Sequence, residues 1–595
     1  MPPKRRSTIL LSLILAVYTA FVGCLVQLQF VHGADYAALA ASRRSTTLTV
    51  TAARGAIADC HGIRLAEDRV GFSLVLDGSV PPSDELLSTL IALLSATDDA
   101  WRTADVGSVR AAMTNAGFNR VTPFVLATDV PRATAAVVEE QRARFAGVSV
   151  MTVPIREYPC GSTAAHLIGT VGAITAEEYA TLKGQGYRLT DTVGKSGLEA
   201  ALESTLRGQN GAVTRCFDAD GVLLSTEETA AATVGDSVIL TLDSRLQAAA
   251  QQVLEDTVTA LRTQPIGTDG QDVQSGAAVL LDVKNGALLA AASAPGYDLS
   301  TYRQNAADLL QDPDKPLFNR ALFGTFACGS VIKPAVAVAG LAEGEITAAR
   351  PLLTCDGVYH HYEEVGFAPK CLGSHGDVAL THALRRSCNV YFFDLGRLLG
   401  IDRLNRYLRD FGLGQPTGIE LGEARGVLAS PETKQGAWVA GDTCQCAIGQ
   451  LDQRFTPLQL AAYAMTLANN GVRYRVHVVQ RIERYDGTVL SQTEPQVLST
   501  VAADSTVFAA VREGMCAVTQ AGGTAYAAFA DAPYTVAAKT GTAQNGSSRS
   551  DHGVFIAYAP AEAPEVALAV VLENGTSAPT VTAARRLLDA YFELF

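Results

Sequence analysis

The sequence has no large basic block beyond its first few residues, and its formal net charge is -13 over 595 residues. A nucleic-acid-binding body needs clustered lysine and arginine to neutralise phosphates, so that class of function is excluded. No internal repeat is visible, and no low-complexity segment beyond richness in alanine. Hydrophobic residues make up 48% and charged residues 18%, which predicts a folded chain with a sizeable core rather than disorder.

The cysteines are too widely spaced for a disulfide-stapled scaffold, although there are 11 of them. An odd number cannot pair completely within one chain, so at least one is free, bound to metal or paired elsewhere. Cys24 lies in an apolar run and is predicted to be an inert filler of that segment.

Long apolar runs are absent except for one near the N-terminus. Ile9–Val31 carries no charged residue and is long enough to cross a hydrocarbon core of about 30 Å. Three basic residues at positions 4–6 precede it, which predicts that residues 1–8 lie in the cytoplasm and the rest of the chain outside. A cleaved signal peptide is the alternative, but its apolar region usually runs only about 7–15 residues. We therefore predict one membrane anchor at 9–31.

Length predicts two to four domains at roughly 150 residues each. In residues 32–234, TLTVTAARGAIAD alternates like a strand and ELLSTLIALL has helical spacing, which indicates a mixed α/β domain. Residues 235–595 begin with a strand and a helix, and Asn285-Gly286 between two apolar runs predicts a hairpin. They end with two strands and an amphipathic helix. The predicted fold is α/β (α+β), with an antiparallel sheet closed by both ends of this domain and flanked by helices.

Ser330 and Lys333 lie three residues apart at the predicted start of a helix, so they share one face. A serine hydroxyl hardly ionises near neutral pH and needs a base within hydrogen-bonding reach. A lysine is such a base when burial and nearby cations lower its pKa. The N-terminus of the helix favours an oxyanion. An S-x-x-K motif alone has low specificity, because it occurs by chance in most long chains.

Ser387 and Asn389 form a second short motif, S-x-N. The serine is suited to relay a proton, and the asparagine amide is suited to bind a substrate amide.

Lys539, Thr540, Gly541 and Thr542 follow a predicted strand in PYTVAAKTGT. Glycine permits close approach of a substrate backbone, and lysine and threonine suit a carboxylate. The Thr542 N–H is a candidate oxyanion donor. Alone, this motif also fits a strand that ends in a turn.

In this order, the three motifs form the set S-x-x-K, S-x-N and K-T-G, and the sequence resembles penicillin-binding proteins and serine β-lactamases. RGAIADCHGIRLA, REYPCGSTAAHLIGTVG and VGKSGLEAALESTLRG resemble pedestal motifs of class B penicillin-binding proteins, and PLFNRAL, RRSCNVYFF and GDTCQCAIGQ resemble their second domain. The resemblance covers nearly the whole chain outside 70–150. It favours the elongation-type enzymes called penicillin-binding protein 2 and their division or sporulation relatives.

The resemblance implies a non-catalytic, dimerisation-like pedestal at 32–234 and a serine transpeptidase domain at 235–595. In such a domain Ser330 would attack the penultimate D-Ala carbonyl of a stem peptide and release the terminal D-Ala. Lys333 would take the serine proton, and Ser387 with Lys539 would pass it to the leaving amine.

The resemblance also implies that Asn389 binds substrate and that backbone N–H groups of Ser330 and Thr542 stabilise the oxyanion. The implied partners are peptidoglycan stem peptides, the lipid-linked precursor polymer, β-lactams, the membrane and a polytopic membrane glycosyltransferase. No cofactor is implied for catalysis.

The sequence departs from the family pattern at a few positions. Cys328 stands where a proline usually precedes Gly-Ser, Ala538 stands where glycine is common, and Cys60-His61 replaces a more usual Arg-Asn. None of these changes removes a catalytic group.

Other functions remain open at this stage. A D,D-carboxypeptidase differs only in using water as the acceptor. A β-lactamase is usually smaller and lacks the pedestal, and a β-lactam-sensing receptor needs several membrane spans. A non-catalytic cell-wall scaffold is the alternative outside enzymes, and the intact motifs argue against it.

Cys355, Cys371, His375 and Cys388 form a candidate structural zinc site next to the S-x-N motif. Cys₃His is an accepted closed zinc set, although these spacings are not those of a zinc finger. Some elongation-type relatives resemble this segment, with metal ligands at corresponding positions. The alternatives are a Cys355–Cys371 disulfide, which is reasonable outside the membrane, and free thiols.

Overall fold

The computed structural model describes residues 3–36, 45–78, 80–119, 122–217, 223–544 and 549–594. The chain forms two compact units. The small unit comprises Met1–Arg54, Asp68–Arg156 and Arg207–Gly235. The large unit comprises Gly55–Glu67, Glu157–Leu206 and Asp236–Phe595. The backbone therefore passes between the two units several times before it enters the C-terminal segment.

The helices, in chain order, are α1 Pro3–Val26, α2 Asp84–Ser95, α3 Val106–Asn115, α4 Arg132–Glu140, α5 Ala165–Ile168, α6 Ala176–Leu182, α7 Gly197–Ala201, α8 Glu203–Leu206, α9 Ser244–Arg262, α10 Tyr302–Gln311, α11 Arg320–Phe323, α12 Lys333–Ala342, α13 Leu380–Arg385, α14 Asn389–Asp410, α15 Ala440–Cys446, α16 Pro457–Ala468, α17 Ser505–Thr519, α18 Tyr526–Phe529 and α19 Ser577–Leu594.

The strands are β1 Ser45–Val50, β2 Ile57–Ala58, β3 Arg64–Leu76, β4 Phe124–Ala127, β5 Val148–Glu157, β6 Val171–Ala173, β7 Thr192–Gly194, β8 Gly211–Phe217, β9 Leu223–Ala230, β10 Ser237–Leu240, β11 Ser275–Asp282, β12 Leu288–Ala294, β13 Phe326–Ala327, β14 Leu353–Cys355, β15 Gly376–Val378, β16 Arg454–Phe455, β17 Val472–Tyr474, β18 Val479–Glu483, β19 Val489–Gln492, β20 Val497–Thr500, β21 Ala537–Ala543, β22 His552–Ala559 and β23 Val566–Glu573.

Helix α1 continues into a π-helical turn at Gln27–Val31. Its apolar window, Ile9–Val31, has a mean hydropathy of 2.6 and is not buried against other parts of the protein. Within the part of the chain that the structure describes, it is the one helix long and apolar enough to cross a membrane.

The small unit has two sheets. Strands β1, β8 and β9 form an antiparallel sheet, and the later part of β3 pairs with β4 and β5. Helix α2 begins where the Ser83 side chain accepts a hydrogen bond from the Leu86 N–H, a standard N-cap. Its buried leucines pack with Leu74 and Leu76 of β3 to form the core of this unit.

The central sheet of the large unit has the order β12-β11-β23-β22-β21 and is antiparallel throughout. This confirms the predicted hairpin, in which Gly286 has a φ of 81°. It also confirms that strands from both ends of the segment lie side by side. Helices α9 and α19 cover one face with an apolar cluster. Helices α12 and α16 contribute to the core on the other face.

A second sheet of the large unit contains β19, β18, β10 and β2, followed by the first residues of β3. The single strand predicted from TLTVTAARGAIAD is therefore two strands, β1 and β2, which belong to different units. The break lies at the small residues between them, where the Arg54 N–H donates to Asp68 Oδ2 over 2.8 Å instead of continuing a ladder.

Candidate active site

Ser330 lies in a short 3₁₀ turn, Gly329–Ile332, that leads directly into α12. Gly329 precedes it with a φ of 55°, and its N–H donates to the Gly449 carbonyl over 2.9 Å. A Cβ at Gly329 would lie 2.5 Å from the Thr542 carbonyl oxygen. Only glycine fits here, because both the backbone conformation and the space exclude a side chain. The serine is thereby held against the K-T-G strand.

The Lys333 side chain is fully buried one turn after Ser330. Its Nζ donates to the Ser387 carbonyl over 2.9 Å, to Ser387 Oγ over 3.2 Å and to Asn389 Oδ1 over 2.7 Å. Burial lowers the pKa of Lys333 to about 7, against the opposing influence of the nearby thiols of Cys388 and Cys371. An amine with this pKa is about half neutral at neutral pH and largely neutral above it, and its neutral form can accept a proton.

Lys539 on β21 is the second fully buried amine. Its Nζ lies 2.9 Å from Ser387 Oγ and 2.9 Å from the carbonyl of Thr540. Burial, and then the charge of Lys333, hold the pKa of Lys539 well below its usual range. Among the described residues, no salt bridge pairs either amine with a carboxylate, so two full positive charges in this buried pocket are unfavourable.

Ser387 therefore lies between the two amines, with its hydroxyl in contact with both. Its backbone has a φ of 54°, which is uncommon for a residue other than glycine. Asn389 starts α14 two residues later. The S-x-x-K, S-x-N and K-T-G motifs, which are separate in sequence, thus meet at one hydroxyl group.

Strand β21, which carries Lys539 to Thr542, is the edge strand of the central sheet. At Gly541 a Cβ would lie 2.8 Å from the Cys328 carbonyl oxygen and 2.9 Å from a Val331 methyl group. Glycine therefore lets the strand approach the turn that carries Ser330. An edge strand beside Ser330 is suited to offer backbone groups to an extended peptide.

Sequence reasoning missed two contacts of this site. Lys333 Nζ lies 5.4 Å from the ring centroid of Phe392, a distance at which the protonated amine makes a cation–π contact. Thr524 Oγ1 lies 2.8 Å from Thr540 Oγ1. Thr524 comes from the segment between α17 and β21, and no motif in the sequence marks it. Phe392 lies three residues after Asn389, within RRSCNVYFF, so helical periodicity was the available signal for it.

The four predicted metal ligands meet beside this pocket. Their ligand atoms all lie within 4.8 Å of one another. Cys371 Sγ is 3.9 Å from Cys388 Sγ, and His375 Nδ1 is 3.6 Å from Cys355 Sγ and 3.5 Å from Cys371 Sγ. Tetrahedral zinc with its usual bond lengths separates two sulfurs by about 3.8 Å and a sulfur from a nitrogen by about 3.6 Å. The residues present therefore fit a zinc ion.

The start of α14 supports the same cluster. The Asn389 N–H donates to Cys371 Sγ over 3.2 Å, and Cys388 is the N-cap residue of the helix. Contact with Cys388 and hydrogen bonds from backbone N–H groups lower the pKa of Cys371, whereas the same contact and burial raise the pKa of Cys388. A thiolate is thus stabilised at the positive end of a helix. All 11 cysteines are unpaired in the structure, including Cys355 and Cys371.

Cys60, His61 and Asp243 form another group with ligand atoms within 4.8 Å of one another. Here the Arg245 guanidinium contacts Asp243 Oδ2 at 2.6 Å and His61 Nε2 at 2.9 Å. The Arg245 cation is already the partner of both Asp243 and His61, so we assign this group a structural role.

Two family models match the chain. The penicillin binding protein transpeptidase domain matches residues 276–591, and the penicillin-binding protein dimerisation domain matches residues 49–240. The chain is 30% identical to peptidoglycan D,D-transpeptidase MrdA of Escherichia coli (strain K12), over 98% of this chain and 93% of that protein. It is 31% identical to the MrdA protein of Haemophilus influenzae, over 95% of this chain and 88% of that protein.

Solved structures give the same result. A subunit of a peptidoglycan synthase complex that coordinates polymerization and crosslinking has a TM-score of 0.73 and 28% identity, covering 99% of both chains. Pseudomonas aeruginosa PBP2 in complex with WCK 5153 has a TM-score of 0.65 and 28% identity, covering 92% of this chain and 96% of that chain. The chain therefore belongs to the penicillin-binding proteins, as a serine-type peptidoglycan D,D-transpeptidase of cell-wall synthesis.

Proposed function

We propose that Ser330 is the nucleophile and Lys333 its general base, with Ser387 and Lys539 forming the proton relay to the leaving group. The observation that carries this assignment is the Ser387 hydroxyl, which touches Nζ of Lys333 and Nζ of Lys539. Ser330 lies one helical turn before Lys333 and beside the edge strand. Ser330 thus lies on the turn that leads into the helix of Lys333, whose buried amine contacts the relay hydroxyl.

In the acylation step, Ser330 Oγ bonds to the penultimate D-Ala carbonyl carbon while Lys333 takes the hydroxyl proton. Backbone N–H groups of Ser330 and Thr542 hold the oxyanion. The carbon–nitrogen bond then breaks, and the proton passes through Ser387 to the departing amine of D-Ala. Asn389 accepts a hydrogen bond from Lys333, which holds its amide in place for the substrate peptide.

An amine of a neighbouring stem peptide then attacks the ester, and its proton returns through the same relay to Ser330. β-Lactams form the same ester bond with Ser330, but the amine released by ring opening stays attached to the acyl group. The acyl-enzyme therefore persists. A D,D-carboxypeptidase would use water in this step, and a scaffold would form no ester. Covalent labelling by fluorescent penicillin separates the enzymes from the scaffold, which would remain unlabelled.

We propose that α1 anchors the chain in the membrane, with residues 1–8 in the cytoplasm and the catalytic residues outside. The basic residues at positions 4–6 support this orientation. It places the active site on the side of the membrane where peptidoglycan is assembled.

We also propose a polytopic membrane glycosyltransferase as the partner, which supplies the polymer that this chain cross-links. The support is the similar subunit of a complex that couples polymerization to crosslinking, together with the single predicted span. The pedestal, predicted at 32–234, is the expected contact region, because it contributes none of the catalytic residues.

We expect the tagged full-length chain to co-purify with a co-expressed glycosyltransferase in mild detergent. The Ser330→Ala variant is the matched control and should co-purify equally, because binding does not need the nucleophile. Exchange of residues 9–31 for an unrelated membrane helix measures how much the membrane anchor contributes to binding of the glycosyltransferase. If neither the unaltered chain nor the Ser330→Ala variant retains the glycosyltransferase, the proposed partnership is wrong.

We propose that Cys355, Cys371, His375 and Cys388 hold a structural zinc ion. The distances between the ligand atoms and the stabilised thiolate of Cys371 support this. When bound, the ion would brace the loop that leads into α14 and carries Ser387 and Asn389. It takes no part in the reaction steps.

We expect about one equivalent of zinc in the ectodomain purified without added metal. Cys371→Ser should lose the ion, whereas Cys516→Ser, at a cysteine outside the cluster, should keep it. Chelation should lower both the melting temperature and the rate of acylation, because the metal is linked to folding. Less than about a tenth of an equivalent, with Cys355 linked to Cys371 in peptide maps, would refute the site.

A further inference from the structure

A hydroxyl pair joins the K-T-G strand to the segment that precedes it. Thr524 Oγ1 lies 2.8 Å from Thr540 Oγ1. Thr540 is buried, with 7% of its surface exposed, whereas Thr524 is exposed to solvent. The buried Thr540 hydroxyl therefore has the Thr524 hydroxyl as a hydrogen-bond partner.

The direction of this hydrogen bond matters for binding. When the Thr540 hydroxyl donates its proton to a substrate carboxylate, its oxygen is free to accept a hydrogen bond from another donor. Without such a donor, this buried oxygen would have no hydrogen bond to accept. Thr524 is placed to be that donor. A chain of hydroxyl, hydroxyl and carboxylate is cooperative, because each bond polarises the next.

The segment that carries Thr524 is held by the residues just before the S-x-N motif. Arg385 donates to the Ala521 carbonyl through Nη2, and Arg386 Nη1 donates to the Gly522 carbonyl over 3.1 Å. The Ala525 N–H donates to the Val518 carbonyl over 3.0 Å. The two arginines that precede the S-x-N motif thus hold the segment of Thr524, which contacts the K-T-G motif.

The turn itself leaves little freedom. A Cβ at Gly523 would lie 2.1 Å from the Val518 carbonyl oxygen, so the backbone there is closely packed. The Gly523 N–H donates to the Gln520 carbonyl over 2.8 Å. A hydroxyl presented by such a turn has a defined position, as a positioning role requires.

We propose that Thr524 is a positioning residue for the donor carboxylate. It orients the Thr540 hydroxyl toward the carboxylate of the terminal D-Ala and of β-lactams. The inference rests on the proposed function and on the expectation from the sequence that the lysine and threonine of the K-T-G motif bind a carboxylate. It predicts a defect that depends on the charge of the ligand rather than on the chemistry of acylation.

The test compares acylation by benzylpenicillin with acylation by its methyl ester, which lacks the carboxylate charge. Rate constants are measured on the full-length chain in mild detergent by intact mass spectrometry. Thr524→Val should lower the ratio of the benzylpenicillin rate constant to the methyl ester rate constant about 3- to 10-fold, as expected for one lost hydrogen bond between neutral groups. Thr524→Ser keeps the hydroxyl and should restore the ratio. If Thr524→Val does not fold, Thr524→Ala removes the hydroxyl without added bulk.

The Thr540→Val variant distinguishes the carboxylate contact of the K-T-G strand from the positioning role of Thr524. If it lowers the ratio and Thr524→Val does not, the carboxylate role of the strand stands and the role of Thr524 is refuted. If Thr540→Val leaves the ratio unchanged, the carboxylate contact is refuted together with the inference. An equal slowing with both ligands in Thr524→Val would mean a general structural role and would also overturn the proposal.

Discussion

Replacement of Ser330 by alanine is expected to abolish covalent modification by penicillin. The wild-type ectodomain should gain about one penicilloyl group, because the hydroxyl is activated beside a neutral amine. The variant retains Lys333, Ser387 and Lys539, but it has no oxygen at the position that the edge strand faces. Intact mass spectrometry after incubation with penicillin measures the adduct directly.

Ser300→Ala is the matched control, because Ser300 is an exposed serine of the large unit outside the site. It should acquire the adduct at the wild-type rate. Peptide mapping should place the wild-type adduct on Ser330. Adduct formation on the Ser330→Ala variant would show that another residue is the nucleophile and would refute the assignment.

Replacement of Lys333 by alanine is expected to slow acylation by about 10²- to 10⁴-fold, the usual cost of losing a general base. The nucleophile and the oxyanion donors remain, so the reaction should be slow rather than absent. Stopped-flow or quenched acylation with penicillin gives the rate constant. Lys284→Ala, at an exposed lysine, controls for loss of positive charge and should react normally.

The pH dependence identifies the base. Because burial lowers the pKa of Lys333 to about 7, its amine becomes neutral as pH rises through that value. The base form is the neutral amine, so wild-type acylation should rise with pH up to about 7 and level off above it. The alanine variant should lose this rise. Near-normal acylation, or the same rise in the variant, would assign the base to another group.

The sequence predicted the catalytic domain well, for identifiable reasons. Asn285-Gly286 between two apolar runs is a strong hairpin signal. Strands at both ends of the segment, with helices between them, predict one sheet in which these strands are neighbours. The three short motifs gave the residues that surround the Ser387 hydroxyl, although each motif alone is weak.

Other features depend on contacts that no local pattern encodes. Alternating segments of the chain belong to the two units because of tertiary pairing, such as that of β2 with β10. Composition does not indicate this alternation. The positive φ of Ser387 and the pairing of Thr524 with Thr540 are set by distant segments. Spacing alone did not indicate the geometry of the cysteine and histidine cluster, because its four ligands come from separate loops and strand ends.

Cross-link formation is the most direct test of the central claim. Purified full-length chain is reconstituted in vesicles with a membrane glycosyltransferase and lipid-linked precursor, and the digested polymer is analysed by mass spectrometry. We predict cross-linked muropeptide dimers that disappear with penicillin and with Ser330→Ala. Stem peptides shortened by one D-Ala without dimers would show a carboxypeptidase instead, and dimers that persist in Ser330→Ala would contradict the account.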